Sequence, residues 1–253
     1  MDLNYRVEGK GESIVFIHGL SDNLNYWEVL SVRFKKDYKV VRFDLRGHGD
    51  SKLGDEDISI DLFSEDLYNL LGDLNIKKAH LVGFSLGGCV ALDFTIKYPD
   101  MVSSLVLMSS FSHTTKEMDG IFRSWDNALS NSFEDFYDLI LPMVLCSDVI
   151  DKHKDELEFL KSISSKTANT KAFRKAVSAI RDFDVSDKLK DIDVDCLILA
   201  GKCDVIFPVN VQKDLNQGID NSRLIILDNV NHNLLVGESI GKVYDILNDF
   251  FKK

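Results

Sequence analysis

Proline is scarce in this chain, 3 residues in 253, and glycine, with 15, is no more than ordinary. Neither a fibrous repeat nor a Pro-rich linker is compatible with that composition. Long apolar runs are missing as well. No stretch approaches the ~18–20 residues that a membrane span needs. The opening Met1-Asp2-Leu3-Asn4-Tyr5-Arg6 has no basic start followed by an apolar stretch, so no signal peptide is read there and a cytoplasmic protein is expected. The four cysteines, Cys89, Cys146, Cys196 and Cys203, fall into no CxxC or Cys/His spacing of a zinc site. Without a secretory signal they read as reduced core or pocket thiols. Positive charge is short too: 30 Lys and Arg stand against 41 Asp and Glu, a net charge of −11. Such a surface repels phosphate backbones and anionic headgroups, so neither nucleic acid nor a membrane is expected as a partner.

What is present is the composition of a soluble globular protein, 45% apolar and 28% charged. A single core stops growing at roughly 250–300 residues, so 253 residues make one large domain, or one domain with an insertion. Short apolar runs recur at Ile14-Val15-Phe16-Ile17, Val40-Val41-Arg42-Phe43, His80-Leu81-Val82-Gly83, Leu105-Val106-Leu107-Met108, Cys196-Leu197-Ile198-Leu199-Ala200 and Leu224-Ile225-Ile226-Leu227. Runs of this length are what strands buried on both faces look like. Leu3 to Glu8 alternates and stops at Gly9-Lys10-Gly11, which reads as an edge strand entering a hairpin. Helical spacing separates the strands. Leu67, Leu70, Leu71 and Leu74 form one amphipathic stripe, and Ile240, Val243, Tyr244 and Leu247 form another ahead of Phe250 and Phe251. The alternation predicts an α/β fold with a mostly parallel central sheet and helices on both faces.

Between Phe111 and Asp187 the alternation stops. No strand is read there; helices are expected, for example around Phe133–Leu145 and Lys171–Phe183, and aromatic residues are dense. Both flanks return at once to core strands. The expected organisation is therefore a core of residues 1–110 and 188–253 carrying an inserted helical cap, residues 111–187.

The chemistry concentrates at strand ends. Gly83-Phe84-Ser85-Leu86-Gly87, followed by Gly88, stands after a strand and before a helical pattern. A serine on so sharp a turn holds its hydroxyl clear of the backbone, at the amide-rich start of a helix. A hydroxyl needs a base to become a nucleophile. Of six histidines, His232 alone follows the last strand directly and precedes the last helix, where functional side chains gather in open α/β sheets. A base needs a carboxylate to hold its tautomer. Asp204, just beyond the strand Cys196–Ala200, occupies such a place, and a helix-capping role there is compatible with it.

In the order Ser85, Asp204, His232 the chain resembles the α/β-hydrolase family, whose triad runs nucleophile, acid, histidine. Two further segments carry the resemblance: His18-Gly19-Leu20, similar to the family's HG motif, and Asp44-Leu45-Arg46-Gly47-His48-Gly49-Asp50-Ser51, similar to its D-x-R-G-x-G-x-S turn. The resemblance implies an oxyanion hole from the backbone N–H groups of Leu20 and Leu86, each such donor typically worth ~2.7–4 kcal/mol in the transition state. His18 and the segment 44–51 are expected to hold loops. Some members carry the acid after the strand that follows the nucleophile's helix; here that strand ends in Met108-Ser109-Ser110, without a carboxylate, which leaves Asp204. Relatives with an Asp nucleophile are excluded by Ser85.

The implied reaction is hydrolysis of a carboxylic ester or lactone of short or medium chain through an acyl-enzyme, with no metal or organic cofactor. Other serine-based acyl chemistry is an open alternative: carbon–carbon bond hydrolysis, thioester or amide cleavage, or acyl transfer. A small-ligand receptor that keeps slow hydrolysis is another. Phe84, Phe111, Trp125 and Met143 are the candidates for an apolar substrate pocket. The oligomeric state is left open.

Overall fold

Each apolar run of the sequence becomes a strand whose alternate residues go to opposite faces of the sheet. The computed structural model describes residues 3–252. Its strands are β1 (Tyr5–Glu8), β2 (Ser13–Ile17), β3 (Lys39–Phe43), β4 (Ala79–Phe84), β5 (Val102–Met108), β6 (Cys196–Gly201) and β7 (Ser222–Leu227). They form one seven-stranded sheet in the order β1-β3-β2-β4-β5-β6-β7. All neighbours are parallel except β1, which runs antiparallel to β3. Ile14 and Phe16 enter one apolar cluster, while Val15 and Ile17 enter the other. Val106 and Met108 are divided from Leu105 and Leu107 in the same way.

The expected hairpin does not form. β1 skips β2 and pairs with β3, Tyr5 opposite Phe43 and Glu8 opposite Val40. Burial explains the choice. All five residues of β2 are buried, so β2 requires a strand on each side, whereas β1 is mostly exposed and suits the edge. Gly9 and Gly11 take φ of +77° and +104° where the chain crosses under residues 37–38.

Helices α1 (Glu28–Phe34) and α10 (Ser239–Phe251) cover one face, burying Leu30, Phe34, Val243, Leu247 and Phe251. Helices α2 (Ile60–Asp73), α3 (Leu86–Lys97) and α9 (Val209–Gly218) cover the other, with Leu67, Leu71, Val90, Phe94 and Leu215. Ser59 caps α2 by accepting from the Leu62 N–H at 3.0 Å. Leu74 falls on the cap residue beyond the helix and is only half-buried.

Between β5 and β6 the chain runs through α4 (Lys116–Asn131), α5 (Phe133–Val144), α6 (Ser147–Lys152), α7 (Lys154–Thr167) and α8 (Thr170–Arg181). Thr115, Ser132 and Asn169 start α4, α5 and α8 by accepting from the N–H three residues on, each such cap worth ~1 kcal/mol. The excursion leaves and rejoins the sheet at one neck, where His113 and Asp184 form a single antiparallel bridge and the Val185 N–H donates to the Ser112 carbonyl at 2.9 Å. Phe122, Trp125 and Phe136 belong to the same apolar cluster as α2 and α3. No described helix is long and apolar enough to cross a membrane.

Candidate active site

β4 ends by passing straight into α3, and the turn between them is Ser85, with φ 53° and ψ −117°. Left-handed backbone costs ~1–3 kcal/mol for a residue with a Cβ, and the surroundings hold it in place. The Ser85 N–H donates to Met108 O at 2.9 Å, and the Ser85 carbonyl accepts from Ser110 Oγ at 2.9 Å. The glycines around it answer to space. A Cβ on Gly83 would lie 2.3 Å from Gly87 O, and one on Gly87 would lie 2.2 Å from Ile17 O. Ser85 is 7% exposed and lines a cavity of about 330 Å³.

Asp204 stands beyond the end of β6, its side chain out of contact with solvent. Oδ1 accepts from the N–H groups of Ile206 and Phe207, both at 2.9 Å, and Oδ2 accepts from His232 Nδ1 at 2.8 Å. Nδ1 therefore carries a proton, and Nε2 is the ring nitrogen left without a protein partner among the described residues. His232 lines the same cavity as Ser85. Its ring lies between Phe84 and Phe207, with centroids at 5.0 and 5.1 Å. Leu20 lies on the cavity wall, and Leu86 opens α3 directly after Ser85. Neither N–H is spent on a backbone carbonyl of a turn or loop among the described residues.

His18 and the turn after β3 hold this geometry from below. The His18 ring is fully buried, donating from Nδ1 to Gly19 O at 2.8 Å and accepting the Leu45 N–H on Nε2 at 3.0 Å. Burial pushes its pKa down to about 4, so the ring is neutral. Asp44 accepts from Leu24 N, Asn4 Nδ2 and Asp50 N. Arg46 grips Asp66 through two bonds of 2.8 Å.

The four pocket candidates divide. Phe84 and Trp125 line the cavity. Phe111 does not: it is fully buried beneath, packed on Phe207 at 4.6 Å and on Phe122 and Phe183. Met143 does not either. It packs on the main apolar cluster, whereas Ile140, Leu141 and Val144 of the same helix face the cavity. A helix turns ~100° per residue, and an apolar run such as Leu139–Val144 does not reveal which residue faces a cavity. A larger open groove of about 490 Å³ between α4 and α8 includes none of the residues named at the Ser85 turn.

Two hydroxyls escape a reading based on acids and bases. Ser110 Oγ holds the Ser85 carbonyl, and Ser109 Oγ donates to the His232 carbonyl at 2.9 Å. A serine pair at a parallel strand's C-terminal end was the available signal. Asp22 and Asn233 on the cavity wall were also missed, and Tyr26 Oη donates to Asn233 Oδ1 at 3.1 Å.

Residues 12–239 match the alpha/beta hydrolase fold family. The chain belongs to that family. Among relatives of this α/β hydrolase, the 3-oxoadipate enol-lactonase 1 of Acinetobacter baylyi is 31% identical over 222 residues, 85% of this chain and 80% of that protein. Uncharacterized proteins of Mycobacterium tuberculosis and Mycobacterium bovis are 34% identical over 119 residues, 47% of this chain and only 35% of their own length. The solved enol-lactonase of Burkholderia xenovorans superposes with a TM-score of 0.92 at 21% identity, covering 99% of this chain and 96% of that one, a likeness of fold.

Proposed function

We propose that this α/β hydrolase is a serine esterase or lactonase working through an acyl-enzyme on Ser85. The reading rests on one observation above all: the 2.8 Å bond that commits His232 Nδ1 to Asp204 while His232 and the strained Ser85 share one cavity. Nε2 is then free to take the Ser85 proton as Oγ attacks the acyl carbonyl, and to return it to the departing alkoxide. The carbonyl oxygen, now an anion, accepts from the N–H groups of Leu20 and Leu86. Water, activated by the same imidazole, releases the acid and restores Ser85. Asp204 holds the ring and stabilises its cationic form. Residues 111–187 act as a cap on the core of residues 1–110 and 188–253. Trp125, Phe136 and Ile140 of the cap, with Phe84 of the core, make the cavity largely apolar. Its volume lies at the small end of the ~300–1,000 Å³ typical of ligand sites, which suits a short or medium acyl chain.

The test is hydrolysis of a chain-length series of p-nitrophenyl esters by wild type and Ser85→Ala. Wild type should turn over the shorter members, and the variant should lose ~10⁴-fold or more in kcat. A folded wild-type protein inert toward every ester and lactone tried would sink the reading.

A further inference from the structure

Of the carboxylates buried or half-buried around the site, Asp22 is the one without a structural occupation. Asp44 and Asp204 each receive three hydrogen bonds. Asp22 stands two residues beyond Leu20, on the wall of the cavity that holds Ser85 and His232. Among the described residues neither a hydrogen bond nor a cation acts on its carboxyl, and burial pushes its pKa up to about 7. No lysine or arginine lines that cavity among the described residues. A desolvated carboxyl with unfilled lone pairs costs stability. Asp22 is half-buried, and its carboxyl faces the cavity, where a donor on a bound molecule can take the place of water.

We propose that Asp22 is a specificity-determining residue of the hydrolase site: it admits esters whose acyl or alcohol part carries a hydrogen-bond donor, an ammonium or a hydroxyl, and turns away those carrying a carboxylate. This rests on the serine-hydrolase reading above. An ammonium or hydroxyl gives Asp22 the donor it lacks. A substrate carboxylate meets a like charge, and no basic side chain on the wall compensates it. Apolar esters occupy the rest of the cavity and rank between the two. The other titratable groups facing the cavity are His232 and Tyr137, and Tyr26 stands beside Asp22; burial raises both phenols above their ordinary range, so they stay neutral at working pH.

The experiment uses ethyl esters of six-carbon acids ending in methyl, hydroxyl, ammonium or carboxylate, with a matched series bearing the group on the alcohol. Values of kcat/KM are measured for wild type and Asp22→Asn by pH-stat at fixed ionic strength. Asn keeps the shape and removes the charge. In at least one series the wild-type preference for ammonium over carboxylate should fall by about 10–100-fold in Asp22→Asn, the size expected of one nearby charge at a partly buried site. In wild type the same preference should grow between pH 6 and 8 as Asp22 ionises, while both substrate groups stay charged. Any pH dependence of the preference left in Asp22→Asn does not come from Asp22. Preferences equal within twofold between the two proteins, in both series, would overturn the assignment of Asp22. A fluorophosphonate probe separates that failure from the other. Wild type that hydrolyses no ester and gains no adduct at Ser85 overturns the serine-hydrolase reading and this inference together; wild type that hydrolyses esters and takes the probe at Ser85, with the preference unchanged in Asp22→Asn, overturns this inference alone.

Discussion

Replacing Asp204 by Asn changes one atom and should remove nearly all turnover. The side chain is pinned on one side by the N–H groups of Ile206 and Phe207, both 2.9 Å from Oδ1. An asparagine must keep its oxygen there, because the flipped amide would set its NH₂ against two donors and forfeit two accepted bonds. At ~1–3 kcal/mol for each buried group left unpaired, the flip costs on the order of 2–6 kcal/mol. The amide nitrogen is therefore presented to His232 Nδ1, where the carboxylate oxygen stood at 2.8 Å. A donor at that position makes Nδ1 the acceptor and places the imidazole proton on Nε2, the nitrogen that receives the Ser85 proton in the proposed mechanism. The wrong tautomer, with the loss of the negative charge beside a forming imidazolium, should lower kcat by ~10⁴-fold, or about 5.4 kcal/mol of barrier. Stopped-flow acylation by a p-nitrophenyl ester reads the step directly, and a thermal melt checks that the fold persists. An Asp204→Asn protein that is folded and keeps a tenth or more of the wild-type acylation rate would show that Asp204 is not the orienting acid.

Ser109→Ala removes the hydroxyl that holds the His232 carbonyl at 2.9 Å, a neutral bond worth ~1 kcal/mol. It should lower kcat by about 3–10-fold with KM little changed; a changed KM at constant kcat would count against a positioning role. The buried imidazoles of His18 and His48, pushed down to about 4 and about 3, are neutral in the fold and take up a proton on unfolding below about 6.5. The unfolded chain binds more protons between those values, so stability rises with pH from about 4 to 6.5 and then levels, each histidine costing on the order of 2 kcal/mol at pH 5 relative to neutral pH. Asp22, shifted the opposite way to about 7, loses stability as pH climbs from 3.8 to 7. Calorimetry of Asp22→Asn from pH 5 to 8 should therefore show a steeper rise than wild type, and a Tm that stays flat between pH 5 and 6.5 would refute it.

Much of the sheet was legible because a strand buried on both faces must be apolar at consecutive positions, as in β2, β4 and β6. The partner of β1 was not. An alternating segment before two glycines is compatible with pairing to either β2 or β3, and only the burial of β2 on both sides decides between them. Helices α5 and α8 could be placed within a residue or two. Which of their residues meet the cavity could not, since Met143 and Val144 are equally apolar and differ only in the direction they face.

The sequence by itself determined the family, the strand-turn-helix setting of Ser85, and the order in which Ser85, Asp204 and His232 follow one another. These are local matters: the glycines at 83 and 87 and the chain's return to a strand before each of these residues are written in consecutive positions. Only the tertiary structure decided that Asp204 turns to His232 at 2.8 Å, that Ser109 and Ser110 hold the two loops, that Phe111 lies in the core, and that Asp22 faces the cavity without a donor. Each of those facts depends on pairs far apart in the chain. Whether a carboxylate is saturated or left unsatisfied is a property of the neighbours that packing brings to it.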